Sequence, residues 1–130
     1  MNEQRLHEGI RVLRTVQENQ FEICVWRSKR PSYGFIACAV GHMAMDPWFN
    51  THDLRMFYVK TEELPRQGTP TIGNVAVTYE SLAAFFSISE AHARLLFSSF
   101  GYIAAFKDLD YVEPRYVAIR IVNLLCGAYD

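Results

Sequence analysis

At 130 residues the chain has the length of one domain, long enough to bury roughly two-thirds of its unfolded surface in a single core. Half of the residues are apolar and 21% are charged, which excludes a disordered chain. The formal net charge of −1 comes with no basic half and no acidic tail, so bulk electrostatics drive binding to neither nucleic acid nor membrane. Apolar runs are too short, and too mixed with Gly, Ser and His, to span a bilayer,. The opening Met1-Asn-Glu-Gln-Arg-Leu-His-Glu8 is polar where a signal peptide is basic and then apolar,. The expectation is one globular domain over 1–130, cytoplasmic and without a membrane contact. Cys24, Cys38 and Cys126 are odd in number and show no C-x-x-C spacing, so neither a disulfide framework nor a zinc ribbon is indicated,. They read as unbridged, buried thiols.

Leu6, Ile10, Leu13 and Val16 recur at helical spacing among Arg and Glu, which predicts an amphipathic helix over 3–18,. Phe21, Ile23 and Val25 then alternate with Glu22, Cys24 and Trp26, as in a short strand. Residues 27–34 read as a basic loop. Residues 35–46 read as a small-residue helix stopped by Pro47, central because neighbours can approach Ala, Val and Gly closely,. The runs 55–60 and 72–78 carry β-branched and aromatic residues and are split by Pro65, Gly68 and Pro70, which predicts an antiparallel hairpin with a long loop, joined by the 21–26 strand. Thr78 caps a helix that breaks at Ser87-Ile88-Ser89, and Ser89 caps a second helix to Phe97. Residues 98–102 read as a turn, and 103–111 fit neither helix nor strand cleanly. Pro114 opens a final helix with Val117, Ile121, Leu124 and Leu125 facing inward, and Gly127 ends it,.

Cys38, His42 and Asp46 follow one another at four-residue steps and so share one stripe of the predicted central helix,. As zinc ligands they would need help from His7, His52, His92 or Cys24, brought in by the fold. As a Cys–His dyad they would place a thiol near a helix start with an imidazole one turn on, but no oxyanion hole or orienting third group is visible. A Cys on an apolar helix face is more commonly a small hydrophobe, and a buried His is more commonly hydrogen-bonded to backbone. The stripe is therefore read as interior scaffold, with no catalytic residue, no metal ligand and no cofactor assigned.

Residues 79–98 match a helix-turn-helix core through Leu82, Ala83, Phe86, Ile88, Ala93 and Leu96, with Ser87 where Gly usually sits. Over those residues Glu80 and Glu90 outnumber Arg94, and groove binding depends on cations that meet phosphates. A plain helical hairpin explains the same spacing. Arg27, Lys29 and Arg30, with Trp26 before them and Tyr33 after, form a basic and aromatic stretch suited to an acidic partner. Trp48, Phe57 and Tyr58 belong to an aromatic group that becomes a partner-binding patch wherever the fold leaves it outside.

The residues Cys38-Ala-Val-Gly41-His42-Met-Ala44, Asp46-Pro47-Trp48-Phe49, Phe85-Phe86-Ser-Ile-Ser89 and Leu96-Phe97 resemble a set of small bacterial and phage-encoded proteins with no established activity. The likeness runs from about Phe21 to Phe97. In that pattern a Cys-Gly-Thr precedes the C-x-x-G-H run, where this chain has Tyr33-Gly34-Phe35-Ile36, and a Gly stands in place of Ser87. The resemblance implies a largely helical domain from a bacterium or mobile element and assigns no functional residue.

The fold class expected is mostly helical α+β, with four to five helices around a central small-residue helix and a short antiparallel β-hairpin. The function expected is a small non-enzymatic interaction protein, such as a phage or mobile-element inhibitor or accessory factor. Its partner-binding residues would be Trp26, Arg27, Lys29, Arg30, Tyr33, Trp48, Phe57 and Tyr58, with a protein as partner and a homodimer compatible with the same apolar surface. The alternatives are a helix-turn-helix DNA-binding regulator over 79–98 and a metal- or thiol-dependent enzyme using Cys38 and His42.

Overall fold

Leu6, Ile10 and Leu13 on the first helix are buried, and that face packs against the last helix to frame one side of the core,. The computed structural model describes residues 1–23, 26, 28–30, 34–60, 65–103 and 112–129, with backbone alone described at 28–30, 34, 59–60 and 65–67. In chain order the elements are α1 (Glu3–Thr15), a 3-10 turn (Glu18–Gln20), β1 (Ser28–Arg30), β2 (Gly34–Ile36), α2 (Ala39–Ala44) and α3 (Pro47–Asn50). There follow β3 (Leu54–Lys60), β4 (Pro65–Ile72), β5 (Val75–Ala76), α4 (Tyr79–Phe86), α5 (Glu90–Phe97), α6 (Phe100–Ile103) and α7 (Pro114–Leu125). The fold is mostly helical α+β. Every residue of α2 is buried, and α1, β3 and β4 pack around it. Seven helices stand among the described residues, against the four or five that periodicity predicts, because α3 and α6 are single turns of four residues. No described helix is long and apolar enough to cross a membrane.

The segment predicted as one helix over 35–46 is instead three pieces. Residues 34–36 pair with 28–30 as an antiparallel hairpin, so the expected basic loop contributes strand β1. Cys38 then caps α2, and Asp46 caps α3 by accepting from the amides of Trp48 (3.0 Å) and Phe49 (3.4 Å). Pro47 occupies the first turn of α3, where its missing N–H is needed by no helical bond, so Asp-Pro starts a helix here rather than ending one,. Of the strand expected over 21–26, the described residues form a parallel bridge from Phe21 to Ala37 and do not join the β3–β4 pair. Cys24 and Val25 lie outside the described residues.

The second strand of the predicted hairpin is also displaced. β3 pairs with 65–72, the stretch that holds Pro65, Gly68 and Pro70, and residues 75–76 return as β5 through Gly73 and Asn74, both with positive φ. A two-residue turn with both φ values positive matches the twist of the flanking strands. Pro70 is tolerated because its carbonyl accepts from Val77 N (3.0 Å) on the β5 side. The amide and carbonyl of a strand residue point the same way, so the donor that Pro70 lacks would have faced away from β3.

The helices of the C-terminal half follow the sequence reading closely. Thr78 and Ser81 exchange hydrogen bonds in a capping box, Ser87 ends α4 in the left-handed region (φ 53°), and Ser89 accepts from His92 N (3.0 Å) to start α5. The last carbonyls of α4 find partners on α1: Phe86 O accepts from Asn2 N and Phe85 O from the Arg5 guanidinium, each at 2.8 Å,. Pro114 begins α7, which buries Val117, Ile121 and Leu124, with Leu125 half-buried and Gly127 at φ 76° beyond its end. Residues 104–111, ambiguous in sequence, lie outside the described residues apart from Ile103 at the end of α6.

Tyr102 closes the core between α5 and α7. Its ring is fully buried, its hydroxyl donates to Leu96 O (2.8 Å), and the Arg120 guanidinium lies 3.8 Å over the ring while donating to Leu95 O (2.8 Å). Burial pushes the phenol well above its ordinary value of 10.0, and the Arg120 charge opposes that only in part. The unfolded chain therefore ionises Tyr102 first: stability from this residue is intact below about pH 10 and is lost above it at about 1.4 kcal/mol per pH unit. Tyr102→Phe is expected to cost about 1 kcal/mol at neutral pH through the missing hydrogen bond and to flatten the alkaline fall. Urea unfolding of both proteins from neutral pH to about pH 11 checks both effects.

Candidate functional site

The three residues of the predicted stripe take separate partners. Cys38 is buried at the N-cap of α2, where its Sγ accepts from Gly41 N at 3.5 Å. His42 is 8% exposed; its Nε2–H donates to Gln20 O at 2.7 Å, and the ring neighbours Phe21 and Phe35, with centroids 6.4 and 5.6 Å away. Asp46 sits beyond the end of α2, caps α3 and accepts two bonds from the Arg11 guanidinium (2.8 and 3.2 Å). The imidazole thus ties the 3-10 turn to α2, and the carboxylate ties α1 to α3. Among the described residues no group of three His, Cys, Asp or Glu side chains is disposed to hold a metal ion. The third cysteine departs from the sequence expectation: Cys126 is exposed at the end of α7, because the helix turns its inner face through Val117, Ile121 and Leu124.

The α4–turn–α5 unit has the three-residue turn and left-handed Ser87 of a helix-turn-helix. Its apolar positions Leu82, Ala83, Phe86, Ala93 and Leu96 are all in the core. On the outer side of α5, Arg94 is drawn back onto its own hairpin, ion-paired with Glu90 (2.9 Å) and stacked 4.7 Å from the Tyr79 ring centroid. That leaves the would-be recognition helix without a cation directed at a phosphate.

The eight predicted partner-binding residues divide. Trp26 and Trp48 are half-buried and packed against the core. Trp48 meets Phe49 edge-on (5.0 Å) and stacks on His52 (4.0 Å), whose Nδ1 lies 2.9 Å from Trp48 O, so its ring is committed to the α3 turn. Trp26 lines a cleft of about 350 Å³ with Val77, Tyr79 and Arg94. Phe57 and Tyr58 are 62% and 44% exposed on β3. Lys29 and Arg30 lie on β1, which packs against β4, so the basic hairpin and the aromatic strand adjoin one sheet. Arg27 and Tyr33 lie outside the described residues.

Two features were not singled out in the sequence. A groove of about 500 Å³ runs beside β3, lined by Met45, Asn50, Thr51, Arg55, Met56 and Tyr58. A second, of about 450 Å³, lies between α1 and α7, with Ile10, Leu13, Ala118, Ile119 and Val122 along it. Ile119 and Val122 are 51% and 41% exposed. Their spacing was a readable signal, a second apolar stripe on a helix whose inner stripe is already complete. Comparison with family models, curated proteins and solved structures finds no match to this chain.

Proposed function

We propose that this chain is a small protein-binding protein whose partner presents an acidic, partly apolar protein surface to the sheet that carries Phe57 and Tyr58. The observation that carries the reading is Phe57, a large aromatic side chain left 62% exposed on a strand of the molecule. Such residues anchor interfaces when a partner pocket desolvates them. Charge complementarity supports an acidic partner: Lys29 and Arg30 stand on β1, which adjoins β4, and Arg55 stands two residues before Phe57 on β3,. The burial of Cys38 and His42, each bonded to backbone, favours binding over thiol chemistry. An inhibitor or accessory factor of a phage or mobile element would act through a surface of this kind.

The test is affinity capture from bacterial lysate with the wild-type chain and with Phe57→Ala and Tyr58→Ala. Phe57 is 62% exposed, so the stability of Phe57→Ala is expected to stay within about 0.5 kcal/mol of wild type,. The supporting result is an acidic partner whose capture weakens with added salt and falls at least about tenfold in affinity with Phe57→Ala. Capture insensitive to Phe57, or turnover abolished by Cys38→Ala, would overturn the reading. The left-handed Ser87 turn favours a second reading, DNA binding through α4 and α5. Its mark would be salt-dependent duplex binding weakened by Arg94→Ala, which requires Arg94 to leave Glu90 and Tyr79 on contact with DNA.

A further inference from the structure

The last helix carries a line of exposed side chains. Arg115, Ile119, Val122 and Cys126 are all exposed, and their spacing of four, three and four residues places them in one straight line, the spacing of a helix-pairing seam. The inner residues Val117, Ile121 and Leu124 leave the line to one side, where it borders the α1–α7 groove. What distinguishes this line from scattered surface apolar residues is the placing of charge along it. Arg115 is a cation in the first turn of α7, the end where a helix favours an anion, and the last turn of α7 has no basic residue,. Within the chain Arg115 is held by Glu113 and Tyr116, and it remains largely exposed.

We infer that a second copy of this chain docks on this face, with the two α7 helices side by side and antiparallel. In that arrangement Ile119 of one copy meets Val122 of the other across a two-fold axis near the middle of the helix. Arg115 then lies beside the Cys126 end of the facing helix, where the negative end of the helix dipole favours a cation. A parallel pair would instead set the two Arg115 side chains against each other. The charges along the groove are balanced, Arg14 and Arg115 against Glu18 and Glu113, so no net charge on it repels a second copy. The helix is 12 residues long, about 18 Å, so the contact is small and the dimer weak. This inference does not rest on the acidic-partner reading, because it uses the opposite set of residues.

Sedimentation velocity over a concentration series is the test. The expected result is a reversible monomer–dimer equilibrium that Ile119→Glu and Val122→Glu each shift at least about tenfold toward monomer, while far-UV circular dichroism stays unchanged because both positions are exposed. Phe57→Ala should leave the dimer intact, and Ile119→Glu should leave capture of the acidic partner intact, so the two readings fail separately. Orientation is read by disulfide trapping with a mild oxidant. In the antiparallel pair the two Cys126 thiols lie at opposite ends, so the wild type is expected to give no covalent dimer through Cys126, whereas trapping through Cys126 would overturn that orientation. A monomer at every concentration, or a dimer indifferent to Ile119→Glu, would overturn the inference altogether.

Discussion

Replacing Gly41 with alanine is expected to destabilise the fold by about 3 kcal/mol or more, a drop of roughly 10 °C in melting temperature for a chain of this size. A methyl group at this position would lie 1.8 Å from the carbonyl oxygen of Trp26, 2.9 Å from its carbon and 3.0 Å from Ala37 Cβ. The obstacle is backbone, so no side-chain rotation relieves it; the chain at Trp26 must move off α2. The roughly 1 kcal/mol by which Ala is favoured over Gly within a helix is too small to offset that displacement. Gly9→Ala serves as the control, since its methyl meets Met43 Cε at 2.9 Å, the far end of a flexible side chain. That variant is expected to change stability by less than about 1 kcal/mol. Thermal and urea unfolding of the two variants compare them directly, and equal losses would remove the close approach of the Trp26 backbone as the cause.

Asp46→Ala is expected to cost about 2 kcal/mol. The carboxylate satisfies two amides at the start of α3, and a lost N-cap is worth about 1 to 2 kcal/mol. Its two bonds to Arg11 add less than about 1 kcal/mol, because the Arg11 side chain is 47% exposed and solvent screens the pair,. Asp46→Asn separates the two roles: it keeps an acceptor for the amides and removes the charge, so it is expected to retain more than half of the lost stability. Urea unfolding at low and high salt measures this, with the salt-dependent part confined to proteins that keep the carboxylate. A loss in Asp46→Asn equal to that in Asp46→Ala would mean that the ion pair, and not the cap, holds α3 in place.

Much of the architecture was legible from local chemistry. The inner face of α1, the Thr78 and Ser89 caps, the break at Ser87 and the Pro114 start of α7 all follow from residues within one or two turns of each other, and all stand where the sequence places them. The strands were less legible. Hydrogen bonding across β3 and β4 decides which residues of 65–78 pair, and Pro70 is admissible there only because its nitrogen faces away from β3, a relation that periodicity does not carry,. The candidate surface was half legible: aromatic identity marks Trp26, Trp48, Phe57 and Tyr58 alike, but the two tryptophans are drawn onto the core while the β3 pair is left outside.

The stripe of Cys38, His42 and Asp46 marks the same division. Residue spacing sets the thiol and the imidazole one turn apart, because a helical backbone repeats without regard to the rest of the molecule. Whether those groups meet a substrate or a neighbouring carbonyl depends on which distant segment lies against them. Here Gln20 O takes His42 and Arg11 takes Asp46, contacts across 22 and 35 residues of chain. Local patterns therefore carry the helices and their caps, since those interactions are closed within a few residues. Partners across the core, and the exposed side chains of β3 and α7, arise only when the whole chain has condensed and each polar group has found a hydrogen-bond partner,.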